Sequence, residues 1–101
     1  MSLKIDRIVE EDRLIIIPTG DIDIVNSKIF KEAIVDVLNE NKHVQIDGRY
    51  LDYMDSTGLG VLIGLYKTAK ENRIQLTLKN LKPNIYKLFD ITGLNQVFEI
   101  L

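Results

Sequence analysis

Residues 53–60 read Tyr53-Met54-Asp55-Ser56-Thr57-Gly58-Leu59-Gly60 and are the least ordinary stretch of the chain. They lead into a helical pattern, because apolar residues then recur three and four positions apart. These apolar positions are Leu59, Leu62, Ile63, Tyr66 and Ala69. A short strand pattern, Val44–Ile46, comes before this stretch and ends at Asp47-Gly48. A strand, a polar loop and an amphipathic helix in this order are typical of an α/β fold.

The N-terminal part of the chain predicts a β-hairpin. Leu3–Val9 and Arg13–Ile17 are the two strands, and the polar residues between them have the length of a hairpin turn. Residues Leu14–Ile17 are all apolar, which predicts a strand covered on both faces. Pro18 and Gly20 are expected to end this strand.

The remaining segments continue the alternation of helix and strand. A helix is predicted from Asn26, with Asn26 or Ser27 as its cap, and Ile74–Leu78 predicts another strand. Pro83 suits the first position of a third helix, which Gly93 ends. Val97–Leu101 predicts an edge strand, open to pairing with a second copy, or a packed tail. The fold class is therefore α/β, with a mostly parallel sheet of four to five strands, an N-terminal antiparallel hairpin strand and about three helices.

Composition narrows the classes of function. The chain has 101 residues, the size of one domain spanning residues 1–101, and a formal net charge of −2. This charge argues against direct nucleic-acid binding or adsorption to an anionic membrane. There are no cysteines, the chain has no apolar run of membrane-spanning length, and acid at Asp6 speaks against a signal peptide. These features predict a cytoplasmic protein.

Topology predicts where a binding site lies. Parallel strands end at the same edge of a sheet, so Asp21-Ile22-Asp23 and the Leu51–Gly58 loop are expected side by side. Asp55, Ser56 and Thr57 all suit a helix cap, and one helix end does not need three of them. The surplus hydroxyl of Ser56 is expected on the surface. The acids expected around it are Asp21, Asp23, Asp52 and Asp55.

A phosphoryl group on Ser56 would meet the positive end of the helix dipole and free N–H donors. The modification is therefore not expected to unfold the helix. It would add about −1.5 to −2 charge to this surface. The modification is expected to change which protein binds to this surface.

Other chemistries fit the residues less well. Gly58, Gly60 and Gly64 hint at a phosphate-binding loop, but close packing of the helix is the better explanation of these glycines. The single histidine, His43, is expected near the opposite edge of the sheet from Ser56, so no catalytic triad is predicted. A Mg²⁺ site built from Asp21, Asp23 and Asp55 ranks below a simple polar rim. We expect no enzyme, no metal and no cofactor.

The motifs together resemble the STAS domains, specifically those of bacterial anti-sigma factor antagonists. The resemblance rests on four stretches and covers nearly the whole chain. These are Gly20-Asp21-Ile22-Asp23, Ile46-Asp47, Tyr53–Leu62 with Asp-Ser-Thr-Gly-Leu-Gly at its centre, and Asn80-Leu81 followed by Ile91-Thr92-Gly93-Leu94. One departure is Gly48, where the family usually has a bulkier apolar residue, and this glycine is expected to loosen the loop before Ser56.

The resemblance implies a binding module controlled by phosphorylation. In the family, the serine matching Ser56 is phosphorylated by a partner that is both a kinase and an anti-sigma factor. The unphosphorylated antagonist binds this partner and releases the sigma factor, and a serine phosphatase resets the switch. The partner-binding residues implied are Asp21, Asp23, Asp55, Ser56, Thr57 and Gly58. The alternatives are a nucleotide-binding domain and a constitutive scaffold STAS module of a larger signalling assembly.

Overall fold

The computed structural model describes residues 2–101. In chain order, its elements are β1 (Leu3–Val9), β2 (Arg13–Ile22), α1 (Ser27–Leu38), β3 (His43–Asp47), β4 (Leu51–Met54), α2 (Ser56–Glu71), β5 (Leu76–Lys79), α3 (Pro83–Ile91), a 3₁₀ turn (Leu94–Gln96) and β6 (Glu99–Ile100). The predicted order of strands and helices is confirmed. One further strand, β4, precedes α2.

Within residues 2–101 the strands form one sheet, in which β2 pairs with three other strands. The sheet has six strands in the order β1-β2-β3-β5-β6, and β4 also pairs with β2. The pairing of β1 with β2 is antiparallel, and the other pairings are parallel. The mostly parallel sheet with an antiparallel N-terminal strand is therefore confirmed, although β4 makes it larger than predicted.

Strand β2 is long because it has two successive parallel partners. Arg13–Ile16 pair with β3, and Gly20–Ile22 pair with β4. The prediction that Pro18 and Gly20 end this strand is wrong. Residues 17–19 lie between the two parallel partners, so the missing N–H of Pro18 removes no bond to β3 or β4. Gly20 lies at a register shift with φ of +111°, a conformation that favours glycine.

One face of the sheet carries the core. Leu14 and Ile16 of β2 are buried and lie in register with the buried Val44 and Ile46 of β3, so all four side chains point to the same face. The helices add their buried apolar residues to this cluster: Phe30, Ile34, Val37, Leu38, Leu59, Leu62, Leu65, Ile85 and Phe89. Each large apolar side chain buried in this way contributes about 1.5–3 kcal/mol.

The other face of the sheet is shallowly concave. Ile15 and Ile17 of β2 point to this face and are only half-buried, so the prediction that β2 is covered on both faces is wrong. A cavity of about 320 Å³ lies over them, lined by Ile8, Ile15, Ile17, Gln45, Asp47, Arg49, Tyr50 and Lys79. The apolar residues at these positions cover one another across strands, as Ile8 does opposite Ile15.

The helix ends follow the sequence signals in part. Pro83 occupies the first turn of α3, and Gly93 follows its C-cap with φ of +76°, as predicted. Asn26 is at the N-cap position of α1, as predicted, but its side chain makes no capping hydrogen bond. Of the two alternatives for the C-terminus, the edge strand is observed as β6. None of the helices within residues 2–101 combines the length and the apolar character needed to cross a bilayer.

Candidate functional site

The ends of β2 and β4 bring the two predicted site segments together. Asp21 pairs with Tyr53 and Ile22 with Met54 in the parallel register. The ladder continues beyond β4, since the Asp55 N–H donates to the Ile22 carbonyl at 3.2 Å. The predicted proximity is confirmed, although residues 51–54 form a strand instead of a loop.

Asp55 ties these segments to the start of α2. Its Oδ1 accepts the Gly58 N–H at 2.9 Å, which caps the helix. Its Oδ2 accepts the Ile24 N–H at 3.1 Å, from the loop between β2 and α1. Both carboxylate oxygens therefore serve the fold, and the loop and the helix start are held at a fixed separation.

Ser56 is the first residue of α2, and its side chain is exposed. Its hydroxyl takes part in none of the side-chain hydrogen bonds found among residues 2–101. The N–H groups of Ser56 and Thr57 belong to the first helical turn, where the backbone offers no intrahelical acceptor. An exposed hydroxyl next to free donors and the positive helix end is a suitable place for an added phosphoryl group.

Asp21 and Asp23 were expected on the surface, but both are buried in the structure. Each is only 8% exposed. The Asp23 carboxylate turns towards its own loop, where Oδ1 accepts the Val25 N–H at 3.0 Å and the Asn26 N–H at 3.1 Å. This is the local turn bonding that aspartate favours, and it competes with any outward role. Direct contact between a partner and these two carboxylates is therefore restricted.

The loop after β2 is fixed by a reciprocal pair of contacts. Besides the bonds that Asp23 accepts, the Asn26 Oδ1 accepts the Asp23 N–H at 2.9 Å. The polar side chains thus face inward, and the apolar side chains of Ile24 and Val25 are left outside, 73% and 81% exposed. Sequence reasoning missed these two residues. The sequence signal that could have identified them is the apolar pair Ile24-Val25, which belongs neither to the strand pattern nor to the helix pattern.

The three glycines of the motif have different roles. A Cβ on Gly58 would lie 2.6 Å from the Ile22 carbonyl oxygen, so this glycine lets the first turn of α2 approach β2. A Cβ on Gly60 or Gly64 would meet nothing within 4 Å, so the prediction that these two serve close packing is wrong. All three glycines lie inside α2, and they do not form a phosphate-binding loop.

A groove runs between α1 and α2 beside the site. It has a volume of about 440 Å³. Thr57, the residue after Ser56, is half-buried and faces this groove together with Lys31 of α1. Gly60 and Gly64 form part of its floor. The groove therefore begins one residue away from the exposed hydroxyl.

The turn before β4 is firmly held. Gly48 is buried, its N–H donates to the Lys79 carbonyl at 2.8 Å, and a Cβ there would lie 2.7 Å from Leu81. The Asp47 carboxylate accepts hydrogen bonds from Arg49 and from the Asn80 side chain. Burial alone would raise the pKa of Asp47, but these hydrogen bonds and the guanidinium charge hold it below its usual value. The loosening expected from Gly48 is not seen.

Asp52 is the acid of the predicted group that lies fully on the surface. Its side chain is 64% exposed and pairs with Lys82 at the start of α3. The Asn84 side-chain amide donates to the Asp52 carbonyl at 2.9 Å. Both contacts fasten α3 to β4.

The arrangement of residues 2–101 does not support the two remaining alternatives, a catalytic triad with His43 and a metal site. His43 begins β3 opposite Arg13, whereas Ser56 follows β4 at the other end of β2. The length of β2 separates them, roughly 30 Å at about 3.3 Å per residue. Within residues 2–101, no three His, Cys, Asp or Glu side chains gather as a metal site would require. The carboxylates of Asp23 and Asp55 instead accept backbone N–H groups.

Known proteins are similar to this chain in sequence and in fold. The sequence profile described as "STAS domain" matches residues 4–101. The anti-sigma-B factor antagonist of Bacillus subtilis is 33% identical over 99% of this chain and 92% of its own length. The anti-sigma-B factor antagonist of Listeria monocytogenes is 37% identical over 90% of this chain and 81% of its own length.

A solved structure of similar fold is that of the Bacillus cell fate determinant SpoIIAA in its phosphorylated form. It superposes with a TM-score of 0.75 at 19% identity and covers 99% of this chain and 91% of that one. At this identity the likeness concerns the fold. The sequence profile and the two relatives establish the family: the chain belongs to the STAS domain family.

Proposed function

We propose that this protein is an anti-sigma factor antagonist that is switched by phosphorylation of Ser56. In its unphosphorylated form it binds an anti-sigma factor with serine kinase activity, and the sigma factor is released to direct transcription. Phosphorylation of Ser56 ends this binding, and a serine phosphatase restores it. The observation that carries the proposal is the exposed, unbonded hydroxyl of Ser56 at the start of α2.

Charge explains how one group could control binding. A phosphoryl group adds about −1.5 to −2 charge. Asp55 is adjacent, so the added charge falls beside an existing negative group. Desolvation and like-charge repulsion in a tight interface then weaken binding by several kcal/mol. The free N–H groups of the first turn of α2 stabilise the phosphate, so the fold itself tolerates the modification.

The chain needs no catalytic group of its own for this role. The kinase supplies ATP and the groups that transfer the phosphoryl, and the chain supplies the acceptor hydroxyl. His43 is too far from Ser56 to act as a base, and the Asp55 carboxylate is occupied by two backbone N–H donors. A binding protein fits this arrangement better than an enzyme.

The test combines phosphate mapping with binding. The protein is incubated with the anti-sigma factor kinase from the same genome and ATP, and the phosphate is located by mass spectrometry. We expect it on Ser56. Ser56→Ala should bind the kinase with or without ATP, and Ser56→Asp should bind at least tenfold more weakly.

Thr68→Asp is the matched control, because it adds the same charge to an exposed position of the same helix, about 18 Å further along the axis. It should bind like the wild type. Phosphate on another residue, or normal binding by Ser56→Asp, would contradict the proposal. Large complexes that form regardless of the state of Ser56 would favour a constitutive scaffold.

A further inference from the structure

Three exposed apolar side chains lie in and just after the loop that hydrogen-bonds to Asp55. Ile24, Val25 and Ile29 are 73%, 81% and 57% exposed. Single apolar residues on a surface need no explanation, but three branched ones within six residues form a patch that water solvates poorly. We call these three residues the Ile24 patch. Two of its residues lie in the loop after β2, and the third lies in the first turn of α1.

The Ile24 patch is linked to Ser56 through the side chain of Asp55. The Ile24 N–H donates to Asp55 Oδ2, and Asp55 precedes Ser56 in the chain. One hydrogen bond and one peptide unit thus link the patch to the residue that carries the hydroxyl. An enzyme large enough to enclose Ser56 in its active site therefore has to cover this loop as well.

The chemistry of the patch indicates what covers it. Asp23 of the same loop turns its carboxylate inward, and both it and Asp21, near the end of β2, are only 8% exposed. The surface that this loop offers beside Ser56 is therefore mainly apolar, and the neighbouring Asp55 carboxylate is occupied by two backbone N–H groups. A partner that recognises it needs an apolar recess, and its contact energy there comes from burying hydrocarbon.

We propose that the Ile24 patch is the anchor by which the anti-sigma factor kinase holds this protein. This inference rests on the proposed function and adds a division of roles within one surface. The patch provides contact area that phosphorylation leaves chemically unchanged. Ser56 provides the change of charge that ends the binding. A few well-buried residues carry most of the binding energy of an interface, whereas charge complementarity contributes more to its specificity.

The experiment uses Ile24→Ser/Val25→Ser and a matched control, Val9→Ser/Ile91→Ser. The control removes two apolar side chains that are 61% and 68% exposed, in β1 and α3. Binding to the anti-sigma factor kinase is measured without ATP, and the kinetics of Ser56 phosphorylation are measured with ATP. We expect the patch variant to raise the Kd and the KM at least tenfold with kcat within about twofold, and the control to change neither.

Equal Kd and KM for the patch variant and the wild type would overturn the anchor while leaving the phosphorylation of Ser56 intact. A wild type that binds the kinase but is never phosphorylated on Ser56 would overturn the switch, and the Kd comparison would still decide the anchor. Sedimentation provides one further readout. Loss of a wild-type dimer in the patch variant, with kinase binding unchanged, would assign the patch to self-association and refute the anchor.

Discussion

The carboxylate of Asp55 accepts the backbone N–H of Ile24, which precedes it by 31 residues in the chain, at 3.1 Å. The same carboxylate accepts the N–H of Gly58 in the next helix. One side chain therefore joins the loop between β2 and α1 to the start of α2. The position of Ser56 relative to the neighbouring loop depends on this bridge.

Replacing Asp55 by alanine should destabilise the protein by about 1–2 kcal/mol, because one helix cap and one hydrogen bond to the exposed loop after β2 are lost together. Urea denaturation measures the free energy of unfolding. Hydrogen exchange of the Ile24 amide should accelerate more than exchange in β5. Asp36→Ala is the control, since Asp36 is an exposed carboxylate on α1. A similar loss of stability in both variants would argue against the bridge.

The glycines of α2 should respond to alanine in opposite directions. Gly58→Ala should lower stability by about 2 kcal/mol or more, because its Cβ would lie 2.6 Å from the Ile22 carbonyl oxygen. Gly60→Ala and Gly64→Ala should each raise stability by up to about 1 kcal/mol, because alanine favours helix and both positions face open space. Thermal unfolding of the three variants checks this. A lower melting temperature for Gly60→Ala would contradict the finding that a Cβ at this position has open space around it.

Asp47 should make stability depend on pH. Its pKa is lowered in the folded protein from the ordinary value of 3.8, so the unfolded chain takes up the proton first as pH falls. The contribution of the ionised Asp47 carboxylate to the free energy of unfolding is therefore complete at neutral pH. It is lost as pH falls through the lowered pKa.

The measurement is the free energy of unfolding of the wild type and of Asp47→Asn. Their difference should be larger at about pH 6 than at about pH 3. Glu71→Gln is a control, because it removes the charge of an exposed acid at the end of α2. A difference for Asp47→Asn that does not change with pH would mean that its carboxylate is not specifically stabilised.

Ser56→Asp should fold at least as stably as the wild type. A negative charge in the first turn of α2 interacts favourably with the helix dipole, by about 0.3–1 kcal/mol. Ser56→Ala should change stability by less than about 0.5 kcal/mol, because the side chain is exposed. Circular dichroism during heating tests both variants. If Ser56→Asp unfolds readily, its loss of binding can no longer be assigned to charge.

Periodicity and turn residues in the sequence predict most of this fold. The helices, β1, β3 and the parallel pairing follow from spacing, and the exposure of Ser56 follows from surplus capping residues. Strand β4 escaped prediction because its sequence, Leu51-Asp52-Tyr53-Met54, does not alternate between apolar and polar residues. The length of β2 escaped it because Pro18 normally ends a strand, and only the pairing shows that residues 17–19 lack a parallel neighbour.

The site was predicted in position but not in surface chemistry. Aspartates after a strand were expected to face water, yet Asp23 bonds to its own loop. Residue type cannot distinguish these two orientations, because both satisfy a carboxylate. The direction in which a short loop closes decides which side chains remain outside, and here it leaves Ile24 and Val25 there.

The double pairing of β2 has a consequence for the order of folding. Its first half acquires a parallel neighbour only after residue 43 has been made, and its second half only after residue 51. During synthesis the β1–β2 hairpin therefore has to wait for more than half of the chain, with one flank unpaired and open to aggregation. Strand β4 is the last strand to pair with that flank, and Ser56 follows it in the chain. Ser56 therefore reaches its final position only after β2 has acquired both of its parallel partners.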